Sequence, residues 1–269
     1  MLRVYLNGDS QTIGTDLPID APTDGTAYAS YAVHLCSLLG GTCIANPAVG
    51  GASNERILRT TNQMLDDCER ERPVKIANDL YRTGDKTPYP DFIVIGFTEY
   101  SRYDWFYNGE YRSSGAELDG LGPDEVWNEK NHQRAEWQLE HLSGEKASYG
   151  QISFYYNQMY NLHLRLEYLK IPHLFLNAHA GFYDDYGVEH RRNQRAEDLC
   201  EFDWDNCFWN VYATEDASFT SWAGIREYKD VPGWHYEHKA HIDFAQVMYD
   251  YIQSKDLLNK YKPSSPRLP

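Results

Sequence analysis

The residues best suited to chemistry lie where apolar segments of the sequence end. The first such segment, RVYLNG (3–8), leads into Asp9 and Ser10, which places a serine hydroxyl at the end of a predicted strand. A serine acts as a nucleophile when a base removes its proton and hydrogen-bond donors stabilise the resulting oxyanion. Ser10 is therefore a candidate nucleophile. The alternative is an ordinary turn residue, because Gly, Asp and Ser all suit a strand exit.

Two further strand ends could supply the donors. Gly51 precedes a helix predicted to begin near Ser53, so its N–H would face the site beside the positive end of that helix. Thr98 and Glu99 follow the apolar segment FIVIGF (92–97) and would reach the same edge of a parallel sheet. Gly51 and Thr98 are thus candidate oxyanion donors, with plain structural roles as the alternative.

The segment DVPGWHYEHKAHIDFAQ supplies a candidate base. His235 precedes the last predicted helix, and Asp230 lies five residues upstream in the same loop. His238 and His241 complete an H-x2-H-x2-H run, a spacing that also suggests zinc. Because His238 and His241 fall within the helix and His235 precedes it, the three imidazoles need not converge. We therefore predict no metal and no cofactor.

The scaffold for these candidates is predicted from apolar runs that each have Gly or Asn as the last or next-to-last residue. The predicted strands are 3–8, 42–46, 92–97 and 173–178, with CFWNVYA (207–213) as a fifth candidate, and the predicted helices are 27–39, 53–69, 124–142, 148–170 and 237–254. This strand–helix alternation predicts a parallel sheet covered by helices on both faces. Ligands then bind at the carboxyl ends of the strands.

The chain organisation predicted from this pattern is a single domain over residues 1–262. It carries long loops at about 100–123 and 180–222, and a flexible tail at 263–269. Aromatic residues are dense, with 22 Tyr and 7 Trp, and many fall in those loops. They could form stacking platforms for a sugar, or they could pack the loops onto the domain.

Charge and cysteine content narrow the class of partner. The formal net charge is −15, which argues against a basic surface for nucleic acid and against docking on anionic lipid. No segment approaches the roughly 20 apolar residues of a membrane span, and the first residues are typical of a strand rather than a signal peptide. The five cysteines are odd in number and lack C-x-x-C spacing, which predicts free thiols and a cytoplasmic location.

Four short blocks of the sequence together resemble the SGNH (GDSL-like) hydrolases, a family of esterases, lipases and carbohydrate deacetylases. In the last block of that family a histidine is followed six residues later by a second histidine and ten residues later by an alanine. The blocks here are Gly8-Asp9-Ser10, Gly51 within GGASN, Gly96-Phe97-Thr98-Glu99, and HYEHKAHIDFA, in which His235, His241 and Ala245 have that spacing.

This resemblance implies roles for the candidate residues. Ser10 would be the nucleophile and His235 its base, while the N–H groups of Ser10 and Gly51 would form the oxyanion hole. Thr98 stands where the family has an asparagine that completes this hole, and a threonine hydroxyl can donate one hydrogen bond in its place. The sequence thus departs from the family at one oxyanion donor.

A second departure concerns the acid that orients the histidine. The family usually has an aspartate three residues before this histidine, where the present sequence has Pro232. Asp230 could reach His235 if the Pro232-Gly233 turn folds back, and Glu227 is another option. We take Asp230 as the predicted acid.

The resemblance also implies a fold: a three-layer α/β/α arrangement with a central, mostly parallel, five-stranded sheet, the flavodoxin-like SGNH hydrolase fold. The variant blocks GASN-x-R-I and IGFTEYSR resemble a divergent branch of such proteins from bacteriophages and marine bacteria. A phage-encoded or virion-associated protein is therefore an alternative to a cellular one.

The function expected from the sequence is a serine esterase that acts on a small acyl ester, such as an O-acetylated carbohydrate. The predicted partner is thus a small-molecule or glycan ester, with no nucleic acid and no membrane, and the oligomeric state stays open. A catalytically weak or inactive glycan-binding or phage structural module is the alternative, while a nucleotide-binding protein is disfavoured because no G-x-G-x-x-G follows a strand. The predicted substrate contacts are Asn54, Glu99, Tyr100, Trp105, His179 and Trp222.

Overall fold

The computed structural model describes eleven stretches of the chain, and the account below concerns these residues. They are 1–14, 17, 30–70, 88–98, 102, 104–107, 110–113, 145–179, 202–213, 215–231 and 235–261.

Strands and helices alternate along these residues. In chain order the elements are β1 (Leu2–Asn7), α1 (Ser10–Ile13), α2 (Tyr31–Leu38), β2 (Gly41–Ala45), α3 (Asn54–Glu69), β3 (Phe92–Phe97), β4 (Asp104–Tyr107), β5 (Glu110–Ser113), α4 (Glu145–Tyr168), β6 (His173–Asn177), α5 (Phe219–Ile225), β7 (Asp230–Val231), β8 (His235–Tyr236), α6 (His238–Ser254) and a 3₁₀ helix (Leu257–Asn259). The four apolar runs 3–8, 42–46, 92–97 and 173–178 all form strands, as the sequence predicts.

The central sheet of the described residues has four parallel strands in the order β2-β1-β3-β6. In its register Val4 pairs with Phe92, and Ile95 pairs with Phe175. Because all four strands are parallel, their carboxyl ends meet at one edge. Ser10, Thr98 and the residues after Asn177 therefore lie along this edge.

The fifth strand expected over 207–213 is not confirmed in the part of the chain described. Phe208 forms one parallel bridge with Phe175, flanked by the hydrogen bonds Phe175 N–H to Cys207 C=O (2.7 Å) and Trp209 N–H to Phe175 C=O (2.8 Å). The chain then turns, and Asn210 adopts a left-handed φ of 47°. A left-handed residue ends the extended conformation, so pairing stops at this bridge.

Helices cover both faces of the sheet, and side-chain alternation along the strands divides the core in two. Tyr5, Ile93 and Phe175 pack on one face with α3 and α4. Val4 and Leu174 pack on the opposite face with α2, α5 and α6. The expectation of a sheet between two helical layers is confirmed.

The helix boundaries follow local signals that were predictable. Ser53 caps α3 by accepting a hydrogen bond from the Arg56 N–H (3.2 Å), as its position before an acidic first turn predicts. Helix α2 is shorter than the predicted 27–39, and α4 begins slightly earlier than the predicted 148–170. The predicted helix 124–142 lies outside the described residues.

The two predicted long loops contain further elements. Within 100–123, β4 and β5 form an antiparallel hairpin, and within 180–222 the chain enters α5. The assignment of one domain over 1–262 with a tail stays a prediction. None of the described helices is both long and apolar enough to cross a membrane.

Candidate active site

Ser10 is placed by a tight strand-to-helix connection. It is the first residue of α1, and Asp9 caps this helix by accepting a hydrogen bond from the Gln11 N–H (3.1 Å). A side chain at Gly8 would come within 2.1 Å of the Thr12 hydroxyl and 2.8 Å of the Gly96 carbonyl, so only glycine fits. The connection holds the Ser10 side chain at the carboxyl edge of the sheet, 5% exposed.

The Ser10 hydroxyl faces a histidine, which in turn contacts a carboxylate and a guanidinium. His179 Nε2 lies 3.5 Å from Ser10 Oγ and 3.3 Å from Asp9 Oδ2. Arg102 places Nη2 3.3 Å from the same His179 nitrogen and Nη1 3.7 Å from Asp9 Oδ2. The side chain of Asp9 is fully buried, and that of Arg102 is mostly buried. Opposite charges therefore neutralise each other directly beside the serine.

This arrangement suits proton transfer at His179. When the imidazole is neutral and carries its proton on Nδ1, the Nε2 lone pair can accept a hydrogen bond from Ser10 or from Arg102. When Nε2 takes a proton, the imidazolium faces the Asp9 carboxylate, which stabilises the new charge. The described contacts thus give Ser10 a neighbouring imidazole, at a residue that the sequence predicts only as a substrate contact.

His179 is held in place through its backbone. Its carbonyl accepts hydrogen bonds from the Ser218 hydroxyl (3.0 Å) and from the Thr220 hydroxyl, both at the start of α5. The neighbouring Ala178 donates its N–H to the Phe97 carbonyl (2.6 Å) and accepts from the Thr220 N–H (3.2 Å). The end of β6 is therefore fixed by both α5 and β3.

Asn54 and Thr98 form a buried pair between α3 and the end of β3. The Asn54 side-chain NH₂ donates to the Thr98 carbonyl, and its oxygen accepts the Thr98 N–H, both at 3.0 Å. Both ends of the Asn54 amide are thus engaged with the backbone, so its geometry is that of a residue that positions Thr98. The structure does not place it as the substrate contact that the sequence predicts.

Thr98 retains a feature expected of an oxyanion donor, and Gly51 lies in the turn before α3. Thr98 is 2% exposed, and its Oγ1 has no hydrogen-bond partner among the described residues. Gly51 has a φ of +68°, a conformation that L side chains adopt only with strain. Their participation in an oxyanion hole stays a prediction.

His235 is buried at 7% exposure in the two-stranded β7–β8 ribbon. In this ribbon Val231 pairs with His235 and Asp230 pairs with Tyr236. Because side chains alternate along a strand, Asp230 and His235 face opposite sides of the ribbon, and Asp230 is exposed. The structure does not bring this predicted acid to the predicted base.

A buried network extends beneath Ser10 toward the last helix. Thr12 and Tyr31 share a hydroxyl–hydroxyl hydrogen bond (2.7 Å), and the Tyr31 N–H donates to His241 Nδ1 (3.2 Å). Burial lowers the pKa of His241 to about 3, aided by its histidine neighbours.

His238, the other histidine at the start of α6, contacts His34 instead, with their Nε2 atoms 2.8 Å apart. His238 and His241 thus contact different partners, and burial fixes His241 as a neutral imidazole.

The other predicted substrate contacts have different outcomes. Trp222 is 4% exposed and packs against Phe219, Tyr228 and Phe244 in the core, so its ring does not offer a binding surface. Trp105 belongs to β4, whose side chains lie outside the description. The predicted contacts Glu99 and Tyr100 are likewise outside the described residues.

Asp9 and Arg102 are the residues that sequence reasoning missed. The sequence indicates only a turn-forming role for Asp9, beside the serine. A usable signal was present, because Arg102 follows the third strand end within IGFTEYSR, where its guanidinium could reach an acid on the first strand end.

Comparison with known proteins gives similarities of overall fold. The sequence matches no family model and no curated protein. Among solved structures it is similar to the lipase Lip_vut3 from a goat rumen metagenome, with a TM-score of 0.49 and 11% identity over 96% of this chain and 98% of that one.

Two carbohydrate esterases are also similar. A variant of Axe2, an acetyl-xylooligosaccharide esterase from Geobacillus Stearmophilus, gives a TM-score of 0.44 and 10% identity over 98% of this chain and 97% of that one. A carbohydrate esterase family 2 enzyme from Corynascus thermopiles (Myceliophthora fergusii) gives 0.42 and 13% over 94% and 66%. At these scores and identities the similarities assign no role to any residue of this chain.

Proposed function

We propose that the chain is an ester hydrolase in which Ser10 attacks the carbonyl of a small acyl ester, with an O-acetylated carbohydrate as the preferred substrate. The observation that carries this proposal is the position of Ser10 Oγ at the carboxyl edge of the sheet, 3.5 Å from His179 Nε2. The adjacent, fully buried Asp9 carboxylate adds a group that stabilises a protonated imidazole.

The reaction would proceed in two halves. A histidine takes the Ser10 proton as the serine oxygen attacks, and then gives that proton to the departing alkoxide. Water attacks the acyl-enzyme with the same histidine as base and releases the acid. The N–H groups of Ser10 and Gly51, together with the Thr98 hydroxyl, hold the oxyanion in both halves. The unpartnered Thr98 Oγ1 supports this role.

Two histidines are candidates for the base, each on a different observation. His235 has the position of the catalytic histidine in the resembled family, whereas His179 is in contact with Ser10. Because His179 contacts Ser10 and faces the Asp9 carboxylate, we assign the base role to His179 and keep His235 as the alternative base. If His235 is the base, Asp230 can orient it only by leaving the opposite face of the β7–β8 ribbon.

The nucleophile is tested with a fluorophosphonate probe and with 4-nitrophenyl acetate. We expect wild-type protein to be labelled and to hydrolyse the ester, and Ser10→Ala to lose both activities. Ser37→Ala is the matched control, because Ser37 is an exposed serine of α2. Equal labelling of the wild type and Ser10→Ala, or no hydrolysis above the uncatalysed rate, would refute the proposal.

The base is identified by comparing His179→Asn with His235→Asn. The variant that removes the base should lower kcat by at least about 10³-fold, because the serine then lacks a proton acceptor. The other variant should change mainly KM. We expect the loss of kcat in His179→Asn, and a loss of kcat confined to His235→Asn would transfer the base role to His235.

The oxyanion role of Thr98 is tested with two variants, one without the side-chain hydroxyl and one that keeps it. Thr98→Val removes the hydroxyl and should lower kcat on the order of 10²-fold with little change in KM. Thr98→Ser keeps the hydroxyl and should retain most of the activity. Equal activities of the two variants would remove Thr98 from the oxyanion hole.

The substrate preference rests on the net charge of the chain and on its many Tyr and Trp residues, which could stack on a sugar. A net charge of −15 disfavours an anionic substrate, and a neutral acetylated sugar avoids that repulsion. We expect faster hydrolysis of 4-nitrophenyl acetate than of 4-nitrophenyl decanoate, and acetate release from a peracetylated sugar. Binding of glycans by a protein that hydrolyses neither ester would favour the alternative, a non-catalytic glycan-binding module.

A further inference from the structure

A second cluster of polar side chains lies at the opposite end of the sheet from Ser10. It gathers four potential metal ligands, whose donor atoms all lie within 4.8 Å of one another. We call it the basal cluster, and its members are His163, Glu167, His173 and Cys207. His173 opens β6 at its amino end, so the cluster is remote from the carboxyl edge that holds the candidate active site.

The cluster is buried and joins segments that are distant in sequence. His163, His173 and Cys207 are each at most 2% exposed, and Glu167 is partly buried. Two members come from α4, one from β6, and Cys207 from the segment that bridges to Phe175. Buried charges are costly unless they are paired or coordinate a metal, and Lys260 provides that pairing for Glu167 in this structure.

His173 is oriented as metal-binding histidines usually are. Its Nδ1 lies 2.9 Å from the Ile171 carbonyl oxygen, which can only accept, so Nδ1 carries the proton. The Nε2 lone pair then faces the cluster and lies 2.9 Å from His163 Nδ1. A ring N–H held by a backbone carbonyl is the outer contact that fixes the tautomer of a ligating histidine.

We propose that the basal cluster binds one Zn²⁺ ion as a structural site. Two neutral imidazoles, one thiolate and one carboxylate form a four-ligand set typical of zinc, and their two negative charges balance the ion. In tetrahedral zinc sites the donor atoms lie about 3.3–3.6 Å apart, so the longest separation in the cluster must contract by about 1 Å. The imidazole–imidazole hydrogen bond is exchanged for two nitrogen–zinc bonds.

Lys260 is the internal competitor of the ion. Its ammonium contacts Glu167 Oε1 (2.7 Å), Asp205 Oδ2 (2.6 Å) and Cys207 Sγ (3.3 Å), with 15% of the side chain exposed. Zinc binding expels this ammonium from Glu167 and Cys207, and Asp205 at the rim can retain it. The cluster therefore holds a built-in cation when zinc is scarce and exchanges it for the metal.

The test measures metal binding by the full chain, independently of esterase activity. After chelator treatment and gel filtration, the protein is given ZnCl₂, and bound zinc is counted with 4-(2-pyridylazo)resorcinol. We expect one zinc per chain and a Tm raised by several degrees in wild type, and loss of both in Cys207→Ala. Cys68→Ala is the control, because Cys68 is a buried thiol of α3 outside the cluster.

Two further measurements keep the proposal falsifiable if Cys207→Ala does not fold. Lys260→Met removes the competing ammonium and should bind zinc at least about tenfold more tightly than wild type. Co²⁺ in place of zinc should give wild-type protein a near-ultraviolet thiolate-to-cobalt charge-transfer band. Absence of bound zinc in both wild type and Lys260→Met, or a cobalt spectrum without the thiolate band, would overturn the proposal and leave Lys260 as the permanent cation.

Discussion

The buried histidine of α6 makes the stability of the protein sensitive to acid. His241 is 1% exposed, and its Nδ1 accepts a hydrogen bond from the Tyr31 N–H. Burial is the largest cause that lowers its pKa to about 3, and the neighbouring histidines 238, 235 and 34 lower it further. The change we consider is His241→Asn, which retains an acceptor near the Tyr31 N–H but carries no titrating group.

The magnitude follows from the difference between the folded and unfolded pKa values. An unfolded histidine titrates near 6.5, so below that pH the unfolded chain binds a proton that the folded chain refuses. The stabilising effect is fully present above pH 6.5 and is lost as the pH falls toward 3. For a folded pKa of about 3, the loss is about 2 kcal/mol at pH 5 and about 3 kcal/mol at pH 4.

The assay is urea unfolding of wild type and His241→Asn at pH 7.5, 6, 5 and 4. We expect the variant to be less stable than wild type at pH 7.5 and to lose less stability on acidification. The gap in unfolding free energy should therefore close by about 2 kcal/mol between pH 7.5 and pH 5.

The control is Ala245→Gly, which destabilises the same buried helix face without removing a proton site. Its cost, about 1 kcal/mol, should be equal at every pH. A gap between wild type and His241→Asn that stays constant from pH 7.5 to pH 4 would refute the account of His241 as a buried neutral imidazole.

Two other substitutions test the packing around the candidate active site, each by urea unfolding at pH 7.5. Asn54→Ala leaves the buried N–H and C=O of Thr98 without their Asn54 partners and should cost about 2–4 kcal/mol of stability. A cost below about 1 kcal/mol would mean that water replaces the Asn54 amide. Gly96→Ala would place a methyl group 2.4 Å from the Thr12 hydroxyl and should cost about 2–3 kcal/mol of stability. Gly40→Ala is the control, because its methyl group meets no atom within 4 Å and its positive φ alone should cost roughly 1 kcal/mol. Equal costs at the two glycines would contradict the close packing at Gly96.

Much of the fold could be predicted because it depends on local patterns. The run FIVIGF predicts β3 to the residue, and Ser53 predicts the start of α3, since apolar periodicity and capping act over a few neighbouring residues. The segment 207–213 shows the limit of this reasoning. Its composition is that of a strand, but a left-handed turn at Asn210 ends pairing after a single bridge.

The site is less predictable because its contacts join separate segments. Asp230 is the predicted acid although Pro232 has the usual position of that acid, and the register of the β7–β8 ribbon turns Asp230 and His235 to opposite faces. Trp222 is a residue type expected to stack on a sugar substrate, but tertiary packing places its ring in the core. A sequence pattern supplies the residue types, and strand register and packing decide the direction of each side chain.

The sequence by itself determined the elements and the edge at which Ser10 lies, because hydrophobic periodicity and parallel topology bring the strand ends together. The resemblance of its last block to the SGNH hydrolases also marked His235, through its spacing from His241 and Ala245. Only the tertiary structure decided that His179 lies beside the Ser10 hydroxyl.

The same is true of the basal cluster, whose members are separated by up to 44 positions between His163 and Cys207. The physical reason is common to both cases. Local preferences fix backbone conformation, whereas the convergence of side chains within a few ångströms depends on how whole elements pack against one another.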